Sequence, residues 1–164
     1  MQFMRRFAQR TKVVYVNSLG VRSPSVRDGR EFLRRVRRKL GSVAKFYRDG
    51  GEGFGVLSPL YAPLSNRRGA QAAAAGLAMQ LAGLTRLKRM RRPLLWVACP
   101  TAWVVLDRLA HQGIVHQLSD CYSAFYGGDD GAGPNAEGEV ARRADLVVCS
   151  SERLLDRARE RYGK

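Results

Sequence analysis

The sequence predicts an α/β fold, doubly wound around a mostly parallel sheet and three layers thick, on three observations. Short apolar runs recur at 12–17, 93–99, 113–119 and 145–149; amphipathic or alanine-rich stretches of helical spacing lie between them; and the order strand, helix, strand, helix proceeds without internal repeats. Near-continuous apolar strands separated by helices specify parallel strands covered on both faces, because each right-handed crossover lays its helix across the sheet. With 164 residues, 45% of them hydrophobic, the chain can build one core.

The first run, Lys12 to Asn17 (K-V-V-Y-V-N), is β-branched and aromatic and stops at Ser18-Leu19-Gly20, a strand entering a glycine turn. Ser25 to Asp28 supply N-cap candidates for a helix over Gly29 to Leu40, with Phe32, Leu33, Val36 and Leu40 on one side and arginines on the rest. Ser42 to Tyr47 and Gly53 to Ser58 predict two strands around the turn Arg48 to Glu52, and Pro59 and Pro63 forbid a helix after them. Gly69 to Arg91, alanine-rich with Leu77, Leu81, Leu84 and Leu87, predicts a long helix ending in a basic cluster before Pro93.

Pro93 to Cys99 (P-L-L-W-V-A-C) predicts a buried strand, and Pro100 and Thr101 open a helix expected to reach about Gln112. Gly113 to Ser119 is the next strand, Asp120 to Pro134 a loop, Asn135 to Arg143 a short helix, and Asp145 to Cys149 the last strand. Ser150 is the expected cap of a helix over Glu152 to Tyr162. Residues 1–11 form a basic N-terminal extension to a single domain over 12–164.

Charge is unevenly placed. Residues 1–92 hold 21 basic and 4 acidic side chains, against 8 and 10 in 93–164, so the net +15 belongs to the first half. A cationic surface attracts polyanions, whether nucleic acid, an anionic leaflet or a phosphorylated ligand. For the helix 29–40 and the cluster Arg86 to Arg92, three readings stand: solvated arginine surface, docking on an anionic membrane, and nucleic-acid binding, the last without any recognised module signature. Cys99, Cys121 and Cys149 are widely spaced and odd in number, which speaks against a disulfide framework and for a reducing, cytoplasmic setting. No stretch has the length of a membrane span and Met1 to Arg10 lacks the apolar core of a signal peptide, so membrane contact would be peripheral, at the inner face of the plasma membrane.

In doubly wound folds ligands bind beyond the carboxyl ends of the strands, so the residues just after each strand carry the chemistry. After the first strand stand Asn17, Gly20 and Arg22. Gly20 allows close backbone approach and Arg22 can pair with an anion, but the stretch is not G-x-G-x-x-G, so no dinucleotide cofactor is expected. After the 93–99 strand, Pro100 and Thr101 are equally a helix start and an anion or hydroxyl site. The strongest segment is Gly113 to Tyr126, G-I-V-H-Q-L-S-D-C-Y-S-A-F-Y, in which a strand delivers Asp120 into a loop with Tyr122, Phe125 and Tyr126. A carboxylate beside aromatics suits stacking on a sugar and accepting a hydroxyl proton; the competing reading is a loop cap with aromatics folded onto the core.

These segments, V-N-S-L-G-V-R-S-P-S near the start, S-D-C-Y-S-A-F, and A-R-R-A-D-L-V-V-C-S-S-E-R-L-L over 141–155, resemble the N-terminal, acceptor-side domain of bacterial family 4-like glycosyltransferases of the GT-B class. The resemblance spans nearly all of Lys12 to Tyr162. It implies a Rossmann-like domain with a second, donor-binding domain outside this chain. It implies transfer of a hexosyl unit from a nucleotide-sugar to a hydroxyl of a glycan or lipid-linked acceptor, and inactivity of this half alone. Carried over by position, Asp120 becomes the catalytic candidate, Gly20, Arg22, Thr101 and Tyr122 acceptor-binding candidates, and Asn17, Ser150, Ser151 and Glu152 the lining of the interdomain cleft. The sequence departs from the family at Gln117 and Cys121, where a tyrosine or acid and a second acid are common, and in the glycine- and aspartate-rich 127–134. The rival class is a non-catalytic α/β interaction module docking on an anionic membrane or polyanion.

No metal site is expected. Asp129 and Asp130 are too few oxygen ligands, and His111, His116 and Cys121 are not bound to converge. Glu152 and Glu160 stand eight apart, a spacing known from donor domains, but lie on a terminal helix among Arg153, Arg157 and Arg161 and are expected to be surface charges.

Overall fold

The computed structural model describes residues 2–17, 46–61, 67–120 and 136–164. The strands are β1 (Val13–Val16), β2 (Tyr47–Asp49), β3 (Phe54–Leu57), β4 (Leu94–Val97), β5 (Gly113–Leu118) and β6 (Leu146–Cys149). The helices are α1 (Gln2–Ala8), α2 (Arg67–Leu87), α3 (Trp103–Leu106), α4 (Ala136–Arg143) and α5 (Glu152–Tyr162). The protein is α/β, with one mixed and one parallel sheet. In the first, β1 pairs parallel to β3 and β2 pairs antiparallel to β3; in the second, β4, β5 and β6 run parallel in that order.

The parallel sheet follows from its connections. β4 passes through a 3-10 turn (Pro100–Ala102) and α3 into β5, and β5 reaches β6 through α4, so both crossovers lay a helix on the same face. There Val97 and Ile114 pack against Leu106, Val140 and Ala144. Helix α2 adds a second cluster, Leu77 and Ala78 against Val105 of α3. In the mixed sheet the Tyr47 ring lies across Gly55, where an added Cβ would sit 2.0 Å from the Tyr47 hydroxyl, so a side chain there would displace the ring.

Four elements differ from the sequence expectation, the first being β2, which takes Arg48 and Asp49 from the predicted turn 48–52 and pairs them with Val56 and Gly55. The helix opened by Pro100 ends at Leu106, not near Gln112. Asp107 is the C-cap there, and its carboxylate is held by one edge of the Arg143 guanidinium, at 2.9 Å from Nε and 2.9 Å from Nη2. Helix α2 ends at Leu87 rather than Arg91, because Arg89 adopts φ 56° and the chain closes with Met90 N–H donating to the Thr85 carbonyl and Arg89 N–H to that of Arg86. This is a Schellman stop with arginine in glycine's usual left-handed place. The basic extension contains α1, which buries Ala8 and stacks Phe3 and Phe7 on Trp96 with ring centroids 5.5 and 6.0 Å away.

The predicted helix over 29–40 and most of the predicted strand 42–47 lie outside the described residues. Among the described residues, no helix is long and apolar enough to cross a membrane.

Candidate functional site

The carboxyl ends of β4, β5 and β6 lie side by side because the three strands are parallel and in register. The β5–β6 ladder runs one step past the strands, with Ser150 N–H donating to the Leu118 carbonyl at 3.0 Å. The Ser150 hydroxyl then donates to the Ser119 carbonyl at 3.1 Å, which fixes the two strand-end turns against each other. Gln117, where the family pattern has a tyrosine or acid, bridges inward: its Oε1 accepts from the Trp96 indole at 2.7 Å and its Nε2 donates to the Ser119 hydroxyl at 2.9 Å. Ser119 therefore keeps its own proton to donate. Asp120 follows directly and is exposed.

On the β4 side, Pro100 opens the 3-10 turn, and Thr101 Oγ1 stands 3.1 Å from Cys99 Sγ. On the β6 side, Ser151, not Ser150, caps α5. Its extended backbone (φ −153°) turns the side chain to accept from Leu154 N–H at 3.4 Å. Ser150 is drawn instead to the neighbouring strand end. Glu152, exposed in the first turn of α5, faces the favourable end of the helix dipole. At the matching end of the mixed sheet, Asn17 extends the β1–β3 ladder to the Leu57 carbonyl and its side-chain amide donates to the Ser58 hydroxyl at 2.8 Å.

The sequence-derived candidates thus fall into three groups. Thr101, Asp120, Ser150, Ser151 and Glu152 gather at the carboxyl edge of the parallel sheet. Asn17 occupies the corresponding edge of the mixed sheet. Gly20, Arg22 and Tyr122, with Cys121, Phe125, Tyr126, Asp129 and Asp130, lie outside the described residues. The described part of the edge offers hydroxyls and carboxylates as donors and acceptors for neutral hydroxyl groups.

One polar cluster was not visible in the sequence. Glu137, at the second position of α4, is buried, and its Oε1 accepts from the Tyr162 hydroxyl at 2.7 Å and from Arg157 Nη2 at 3.2 Å. Burial, reinforced by the bond to Glu137, pushes the Tyr162 phenol up, so it stays the donor. Arg157 therefore turns inward rather than along α5 toward Glu160. Nearby, the fully buried His116 is held by Nδ1 at 3.0 Å from the Val97 carbonyl, which makes that nitrogen the protonated one. Burial depresses its pKa, with the Val97 bond and the Glu137 charge opposing. Neither Glu137 Oε2 nor His116 Nε2 has a hydrogen-bond partner among the described residues. His111 is remote from this, with Nδ1 at 2.8 Å from the Leu109 carbonyl.

At the opposite, amino-terminal end of β1 a cavity of about 120 Å³ lies between Lys12, Tyr47, Asp49, Lys88 and Met90. Lys88 is already engaged there, 3.3 Å from Asp49 and 4.5 Å above the Tyr47 ring. Compared with known proteins, the chain matches no family model and no curated protein.

Proposed function

We propose that this chain is the acceptor-side half of a GT-B glycosyltransferase, a doubly wound Rossmann-like domain whose intact enzyme moves a hexosyl unit from a nucleotide-sugar to a hydroxyl acceptor. The observation that carries the reading is the hydroxyl-bearing edge at the ends of β5 and β6, where Ser150 is bonded to Ser119 and Asp120 projects next to them. An edge of this kind suits a saccharide, whose hydroxyls both donate and accept, better than a phosphate, which needs cations.

In this reading Asp120 receives or orients the attacking hydroxyl of a glycan or lipid-linked acceptor, Ser119 and Thr101 hydrogen-bond neighbouring hydroxyls, and Ser150, Ser151 and Glu152 line the cleft. Gly20, Arg22 and Tyr122 complete the acceptor side. Donor binding falls to a second domain, and this half alone does not transfer.

The test is direct. Saturation-transfer NMR of the chain with a panel of neutral hexose oligosaccharides is expected to show binding that Asp120→Asn weakens about tenfold or more, the usual cost of losing a hydrogen bond to a charge. In the intact enzyme the same substitution is expected to lower kcat. Absence of saccharide binding, or transfer undiminished by Asp120→Asn, overturns the reading.

A further inference from the structure

Phe3 and Phe7 stand one turn apart on α1 with ring centroids 4.9 Å from each other, yet remain 52% and 42% exposed after stacking on Trp96. Strand register places further exposed apolar side chains on the same face of the parallel sheet. Leu94 precedes Trp96 by two on β4 and so shares its face. On that face Val115, paired with Trp96, is buried, and exposed positions resume on β6 at its partner Leu146 and at Val148. Leu94 is 49% and Leu146 55% exposed. Isolated exposed leucines need no explanation, but an exposed aromatic pair on the same side of the sheet as three exposed aliphatic side chains marks an interaction surface.

Its surroundings are cationic. Arg6 and Arg10 are exposed on and after α1, and Arg91 and Arg92 are exposed immediately before β4. Lys12 Nζ donates to the Lys88 carbonyl at 3.0 Å, which ties the basic turn after α2 to the start of β1. Neither residues 2–17 nor 85–97 contain an acid.

We propose that α1, with the exposed side chains of Leu94, Leu146 and Val148, docks on an anionic lipid bilayer. Phe3 and Phe7 enter the interface, and the arginines meet headgroup phosphates. Aromatic and basic residues together would also suit single-stranded nucleic acid, whose bases stack on rings. Leu94, Leu146 and Val148 decide between them, because aliphatic side chains offer bases no stacking surface but are matched by acyl chains. The surface differs from the basic helix 29–40 singled out by sequence. The inference goes beyond the transferase reading and does not rest on it, so vesicle binding stands or falls independently of Asp120.

Flotation of the full chain with vesicles of phosphatidylcholine alone, or mixed with phosphatidylglycerol, tests it. Binding is expected only to the anionic vesicles and falls with added salt. Arg6→Gln with Arg10→Gln is expected to weaken it on the order of thirtyfold, and Phe3→Ser with Phe7→Ser to remove the salt-resistant part. Brominated acyl chains are expected to quench tryptophan emission in the unaltered chain, an effect that shrinks in Trp96→Phe. This readout, with the exposed arginine pair, decides the matter if the phenylalanine variant does not fold by circular dichroism. No flotation with anionic vesicles, flotation indifferent to the arginine pair, binding to oligonucleotides alone, or self-association in place of vesicle binding each overturns the proposal.

Discussion

The two faces of the β4–β5–β6 sheet are made from alternate residues of the same three strands, yet they have opposite surroundings. Val97, Ile114, His116 and Leu118 point to the helices and are nearly inaccessible, whereas on the other face Leu94, Leu146 and Val148 remain exposed, Val115 is buried, and among the described residues α1 packs on Trp96. Apolar content alone therefore does not show which face is core. The difference comes from the crossovers: α3 and α4 follow parallel strands in one direction across the sheet, so right-handed connections put both on one side.

The largest expected effect is on the covered face. Leu106 is 2% exposed and packs between the sheet and α4. Leu106→Ala is expected to cost about 2–5 kcal/mol, the range for buried leucine truncation that leaves a cavity, read as a shift in the urea midpoint. A cost under about 1 kcal/mol would show that this face is not a packed core and would break the contrast.

A smaller effect on the same face depends on pH. His116 folds neutral with its pKa held below the ordinary 6.5. Below that value the unfolded chain takes up a proton that the folded chain does not, so stability falls as pH drops from about 7 toward the depressed pKa. The groups facing it are the Val97 carbonyl and Glu137, with Arg157 and Tyr162 on the far side of that carboxylate. Urea midpoints at pH 7.5 and 5.5 are expected to fall for the unaltered protein and to differ less in His116→Gln; an equal fall in both would locate the proton uptake elsewhere. Asp107 and Glu139 titrate in a separate, more acid window, since Arg143 holds both carboxylates below their usual range.

What the sequence made legible follows from the range of the interactions involved. The five runs at 12–17, 53–58, 93–99, 113–119 and 145–149 each contain the observed strand to within a few residues, because a buried strand is a local apolar run. Helix α5 matches its predicted span, bounded by Ser151 and Gly163, whose φ of 65° closes it. The α3 boundary was not legible: Leu109 and Ala110 continue a helical pattern, and the chain turns at Asp107, whose partner Arg143 is distant in sequence. Likewise Glu137 reads as a surface charge until Arg157 and Tyr162 arrive from α5. Helix α1 reads as a basic tail because Trp96, which receives its rings, is far along the chain. At the strand-end edge, Thr101, Asp120 and Ser150 follow β4, β5 and β6 as the strand order implies, but the exchange of roles between Ser150 and Ser151 depends on a contact with β5 that no local pattern encodes.

The smallest expected effect sharpens the contrast most. Leu146 and Val148 point away from α3 and α4, so Leu146→Ser with Val148→Ser removes little packing. Each side chain is already 55% and 36% exposed. The loss in stability is expected to stay within about 0.5 kcal/mol per site, typical of surface changes, with the poorer fit of serine to a strand adding to it. The same variant is expected to bind anionic vesicles more weakly, because its aliphatic contribution to the open face is gone. A face that matters for folding and one that matters for contact are thereby separated by two measurements on one protein. A midpoint shift as large as that of Leu106→Ala would instead mean that the open face is buried in the folded chain, and the surface available to a bilayer would shrink to α1.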